Sequence, residues 1–75
     1  MKTKESKAEA FKRLATKRTN RILKDVSLLG NLSDKGNYAF DELQVRKIFS
    51  AVDRELKQTK ARFEAAQKSE RRIKL

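Results

Sequence analysis

The sequence predicts an all-α protein, an antiparallel hairpin of two long helices that dimerises into a four-helix bundle. Three observations lead to this prediction. The chain has no Pro and only two Gly residues, both near its middle, and these residue types are the strongest breaks in regular structure. Apolar residues recur every three or four positions on both sides of this break, as on one face of a helix. Helices joined by a short loop normally fold back antiparallel.

The first helix is predicted to run from about Lys4 to Leu29. Good helix formers dominate this segment. Gly30 stands where a left-handed residue ends many helices, and Leu32 occupies the position whose apolar side chain closes that motif. The helix carries an apolar face made of Phe11, Leu14, Ala15, Ile22, Val26 and Leu29.

The predicted loop spans residues 30–40 and is rich in Gly, Asn, Ser and Asp, which favour turns. The second helix is predicted over about 42–73. Asp41 is its N-cap, Gln44 completes a capping box, and Glu42 places negative charge in the first turn. Its apolar seam alternates steps of four and three, as in a coiled coil, and we expect the three Phe residues of the two apolar faces to form the core. The seam consists of Val45, Phe49, Val52, Leu56, Thr59, Phe63, Ala66, Glu70 and Ile73.

A chain of 75 residues predicts one domain, 1–75, of marginal stability. Without Cys or His, the chain has no disulfide and no thiolate or imidazole ligand for a metal. A partner chain or a bound ligand is then the remaining way for a small scaffold to gain stability, and the first of these supports the homodimer. Four apolar residues lie off the main seams and form the predicted partner or dimer interface: Leu23, Leu28, Leu43 and Ile48.

Positive charge is concentrated toward both ends of the chain. The net charge is +10, with +7 in residues 1–24, −2 in residues 25–53 and +5 in residues 54–75. In an antiparallel hairpin the first and last segments lie side by side, so the open end is predicted to be strongly cationic. Such a surface favours an anionic partner.

Nucleic acid is the partner that this charge pattern favours, with DNA preferred to RNA because the chain lacks the interleaved aromatic residues of common RNA-binding modules. Like charges three and four residues apart on a helix repel one another, and a bound polyanion would remove that cost. The predicted contacts are Lys12, Arg13, Lys17, Arg21 and Lys24 on helix 1, and Lys57, Lys60, Lys68 and Arg71 on helix 2.

Other classes of function remain open at this point. A protein–protein module, acting as an adaptor, regulator or inhibitor on an acidic partner, is the main alternative. A helix-turn-helix needs a shorter turn than residues 30–40 provide, and a membrane-surface helix needs a bulkier apolar face. We predict no catalytic residue, no metal and no cofactor. In a chain without His or Cys, the only side chains that could act as general base or nucleophile are carboxylates, Lys and hydroxyls. The lack of a leader or membrane-spanning apolar run leads us to expect a cytoplasmic protein.

The middle of the chain also resembles a group of known proteins. The segments LLGNLS, NYAFDE and IFSAVDRELKQTKARF, within residues 20–63, resemble small basic proteins of unassigned function carried by bacterial plasmids, phages and related mobile elements. The resemblance implies no function by itself. It favours a bacterial accessory role, in DNA handling, transcriptional control or interference with a host system.

Overall fold

The computed structural model describes residues 4–70, with the side chains of residues 4–68. Helix α1 spans Lys7–Gly30, a short 3-10 helix spans Asn31–Ser33, and helix α2 spans Glu42–Glu70. The described residues contain no strand. The prediction of an all-α chain with two long helices joined by a loop is therefore confirmed. The first compact unit ends at Ala39 and the second begins at Phe40.

Helix α1 begins three residues later than predicted, because Ser6 rather than a residue near Lys4 caps it. The Ser6 hydroxyl accepts a hydrogen bond from the Glu9 backbone N–H at 3.1 Å, and the Ser6 backbone N–H donates to Glu9 Oε1 at 3.0 Å. These reciprocal bonds form a capping box, which satisfies two N–H groups that the first turn leaves unpaired. The Ser6-x-x-Glu9 spacing was a signal in the sequence for this start.

The end of α1 also differs from the prediction. Gly30 has φ −61° and ψ −29°, which is right-handed backbone, so the predicted left-handed end at Gly30 with Leu32 closing it is wrong. The Asn31 backbone N–H donates to the Ser27 carbonyl, and the chain continues into the 3-10 helix. This tighter turn satisfies the last helical carbonyls without a left-handed residue.

The loop after the 3-10 helix is organised by Asp34. Its carboxylate accepts from the Gly36 backbone N–H at 2.9 Å and from Asn37 Nδ2 at 2.7 Å. Its carbonyl accepts from the backbone N–H groups of Asn37 and Tyr38. A Cβ atom added at Gly36 would lie 3.1 Å from Asp34 Oδ1, so the small residue leaves room for the carboxylate.

Helix α2 begins as predicted. Asp41 Oδ1 accepts from the Gln44 backbone N–H at 2.7 Å, and the Asp41 backbone N–H donates to Gln44 Oε1 at 3.0 Å. Glu42 lies in the first turn and pairs with Arg46 at 2.8 Å. Of the predicted span to about residue 73, helix is observed to Glu70, and residues 71–73 lie outside the described part of the chain.

The apolar faces are exposed along both helices. None of residues 4–68 is fully buried, and Phe11, Phe49 and Phe63 are 57%, 47% and 54% exposed. The prediction that these three residues form a buried core is therefore wrong for the single chain. Each unit contains one long helix, and one helix cannot enclose its own apolar stripe. In the described part of the chain no helix is both long and apolar enough to cross a membrane.

Candidate nucleic-acid interface

Four cations of α1 form an exposed stripe, called here the α1 cationic stripe: Arg13, Lys17, Arg21 and Lys24. At about 100° per residue, Arg13, Lys17 and Lys24 lie within roughly 40° of one another, and Arg21 lies about 40° beyond Lys17. The stripe extends for about 16 Å along the helix. Arg13 lies about 160° from Phe11, whereas Arg21 lies about 20° from Leu14, so the stripe adjoins the apolar face of this helix along one edge.

Arg13 is the one member of the stripe that carries an ion pair with a described residue. Its Nε donates to Glu5 Oε2 and its Nη2 donates to Glu5 Oε1, both at 3.0 Å. The hydrogen bond to Arg13 lowers the pKa of the Glu5 carboxyl, and the same bond raises the pKa of Arg13. Glu5 thus holds one edge of the guanidinium, the edge that a phosphate would also use. This contact spans eight residues and was not predicted.

The other three cations of the stripe point into solvent. Within residues 4–68, no ion pair involves Lys17, Arg21 or Lys24, and all three are exposed. Lys12 was predicted to act with them but lies about 100° around the helix from Arg13. The structure therefore places Lys12 on another side of α1, away from the stripe.

Two further polar residues, Asn20 and Arg18, lie on different sides of α1. Asn20 lies about 20° from Arg13 around the helix, on the side of Arg13 away from Lys17, and so borders the stripe. Arg18 lies about 140° from Arg13, between Leu14 and Phe11 on the apolar face. Its aliphatic stem is thus placed to lie along that face, with the charged group in solvent.

The α2 cations form a less continuous surface. Lys57, Lys60 and Lys68 are exposed, and Arg71 lies outside the described residues. Glu64 lies within about 20° of Lys57 and so interrupts this set with a carboxylate. Arg54 is exposed on the side opposite the apolar seam, about 60° from Lys57. Arg54 lies three residues before Lys57 and is a further candidate contact, which was not among the predicted ones.

The predicted interface residues are exposed but do not share one face. Leu23 and Leu28 are 63% and 52% exposed on α1, and Leu43 and Ile48 are 58% and 41% exposed on α2. In each helix the two positions lie about 140° apart. Ile48 borders the apolar seam of α2, whereas Leu43 lines a shallow depression beside Arg46.

The described residues contain no group of three or more His, Cys, Asp or Glu side chains that could hold a metal ion. No protein-family model, curated protein or solved structure matches the chain. The charge, exposure and spacing of the cations on α1 and α2 are therefore the observations that bear on function.

Proposed function

We propose that the protein binds nucleic acid, with duplex DNA favoured over RNA, through the α1 cationic stripe. The observation that carries the proposal is the exposure of Lys17, Arg21 and Lys24 in a row with no ion pair among the described residues. Like charges at this spacing destabilise a helix, and phosphate groups would offset that cost. The α2 cations Arg54, Lys57 and Lys68 are assigned to further phosphates, whereas the predicted contact Lys60 lies at the edge of the apolar seam.

The mechanism is electrostatic tracking of the phosphate backbone. Lys and Arg side chains neutralise phosphates and release condensed counterions, so affinity falls steeply as salt rises. A helix also fits the major groove. Asn20 borders the stripe, and the Asn side chain can bond both N6 and N7 of adenine. Backbone contacts therefore supply most of the affinity in this proposal, and Asn20 is the residue suited to reading a base.

The proposal includes a cytoplasmic location and no catalytic role. The lack of Cys and His in the sequence supports the second part, because it removes the commonest general base and the most reactive nucleophile. The resemblance to proteins of plasmids and phages supports an accessory role in bacterial DNA handling or transcriptional control.

The test compares two double variants that change the net charge equally. Lys17→Glu/Arg21→Glu removes two cations of the stripe, and Arg46→Glu/Lys47→Glu removes two cations from the near-neutral start of α2. Binding to duplex DNA, single-stranded DNA and structured RNA is measured by fluorescence anisotropy at low and moderate salt, and helicity by circular dichroism. We expect the first variant to lower the salt slope by about 1.8, equivalent to two phosphates.

The control variant should keep most of the affinity and slope of the wild-type protein. Equal losses in the two variants would contradict the assignment to α1. Absence of binding to all three nucleic acids at low salt would overturn the proposed function itself. A nucleic-acid-binding protein of charge +10 should bind them at least weakly under those conditions.

A second candidate function is docking on an acidic protein partner. The observation in its favour is the exposure of apolar residues on both helices, including Leu28 and Ile48, since exposed apolar surface marks interaction sites. A chain that is monomeric in solution and fails to bind nucleic acid at low salt would favour this second function over the first.

A further inference from the structure

Helix α2 carries a long apolar stripe that is exposed in the single chain. Phe49, Val52, Leu56 and Phe63 are 47%, 41%, 57% and 54% exposed, and Thr59 between them is half-buried. Their alternating steps of three and four keep the stripe on one side of the helix for about three heptads from Val45. This pattern is typical of a helix that pairs with another helix along its length.

The charged residues beside this stripe indicate which helix pairs with α2. Glu55 borders one edge, and Arg62 borders the same edge two turns later. Neither side chain has an opposite charge three or four residues away in α2, and neither forms an ion pair with another described residue. The opposite edge carries Asp53 and Lys60 in the same order, acidic before basic.

We propose that α2 pairs antiparallel with α2 of a second copy of this chain, through this stripe. An antiparallel pair aligns the acidic position of one helix with the basic position of the other, because the chain directions are opposed. With Leu56 opposite Thr59 of the second copy, Glu55 lies beside Arg62 of that copy. Asp53 then lies beside Lys60. Two-fold symmetry repeats both ion pairs.

The same register also matches side-chain size along the stripe. Phe63 lies opposite Val52 of the second copy, and Phe49 lies opposite Ala66, so large residues face smaller ones as close packing requires. A parallel alignment would instead stack Phe49 and Phe63 each on its own copy. In that alignment Glu55 meets Lys60, but Arg62 meets Gln67. Charge and size thus both favour the antiparallel pair.

The test uses charge reversal and mixing, in the absence of nucleic acid. The dimer dissociation constant of the full chain is measured by sedimentation equilibrium for the wild-type protein, Glu55→Arg and Arg62→Glu. Each single change replaces two attractive pairs with two repulsive ones, and we expect roughly tenfold weaker dimerisation for each. An equimolar mixture of the two variants should recover near wild-type affinity, because both cross-chain pairs are then Arg with Glu.

Arg54→Glu and Glu64→Arg provide matched controls, since they make the same charge changes on sides of α2 away from the stripe. These controls should dimerise like the wild-type protein, and circular dichroism establishes that every variant remains helical. A monomeric wild-type chain at high concentration would overturn the proposal. The proposal would also be overturned if Glu55→Arg and Arg62→Glu each weakened the dimer but their mixture did not recover affinity. That result would indicate that the stripe packs on α1 of the same chain or in a parallel pair. Because no measurement involves DNA, the result is independent of the proposed nucleic-acid binding.

Discussion

The contact between Glu5 and Arg13 leads to a prediction about DNA binding. In the structure Glu5 occupies the Nε and Nη2 edge of Arg13 at 3.0 Å, so Arg13 must leave this carboxylate to contact a phosphate through that edge. The change Glu5→Gln removes the negative charge and keeps the size of the side chain. We expect it to release Arg13 to the DNA, and duplex affinity at low salt to rise.

The salt dependence gives the size of this effect. Each phosphate that a protein neutralises on duplex DNA contributes about 0.9 to the slope of log affinity against log salt. Release of Arg13 adds one such contact to those of Lys17, Arg21 and Lys24. The slope of Glu5→Gln should therefore be steeper than that of the wild-type protein by about 0.9. Over a rise from about 50 to about 200 mM salt, this difference amounts to roughly 3.5-fold in affinity.

The assay is fluorescence anisotropy with labelled duplex DNA at several salt concentrations. Glu42→Gln is the matched control, since it also removes one carboxylate and releases an arginine, Arg46, from an ion pair of 2.8 Å. Arg46 lies outside the proposed interface, so the slope of this variant should not change. In an Arg13→Gln background, Glu5→Gln should have no effect on the slope. Equal slopes for Glu5→Gln and the wild-type protein would refute the reasoning.

Three further predictions concern the local structure. Asp41→Ala should destabilise the first turn of α2 by about 1 kcal/mol, whereas Asp41→Asn should keep the cap; amide hydrogen exchange in that turn measures the difference. Gly36→Ala would place a Cβ 3.1 Å from Asp34 Oδ1, so the carboxylate should shift by a few tenths of an ångström; exchange of the amide of residue 36, which donates to that carboxylate at 2.9 Å, should become faster. The Ser6 backbone N–H lowers the pKa of the Glu9 carboxyl, so this part of the α1 cap should be complete above the ordinary glutamate pKa and lost as the pH falls through the lowered value. The chemical shift of the Ser6 amide proton should follow that titration.

The features that sequence patterns predicted correctly are those made by residues close together in the chain. The start of α2 depends on Asp41 and Gln44, three residues apart, and both predicted residues form the observed hydrogen bonds. The start of α1 depends on the same kind of pair, Ser6 and Glu9. The predicted start near Lys4 is too early, because good helix formers precede Ser6 whereas the capping pair places the start of the helix after it. At Gly30 the residue type allowed either hand of backbone, so only the structure distinguished them.

The candidate site could be predicted in part. The α1 cationic stripe followed from spacing alone, because the period of the helix decides which side chains share a side. The same period separates Lys12 from the stripe and, continued three residues back from Lys57, adds Arg54 on α2. The ion pair between Glu5 and Arg13 was beyond such reasoning, since it joins residue 13 to a residue that precedes the helix and depends on the path of the chain before Ser6.

The sequence by itself determined the all-α class, the two long helices, the cap at Asp41 and the row of cations on α1. All of these depend on helix period and on hydrogen bonds between near neighbours. The tertiary structure decided the exposure of Phe11, Phe49 and Phe63. It also decided the ion pair between Glu5 and Arg13. Burial and ion pairing depend on which surfaces and side chains meet in space. The spacing of apolar residues predicts only which side of a helix packs against another surface. It does not state whether that surface lies in the same chain.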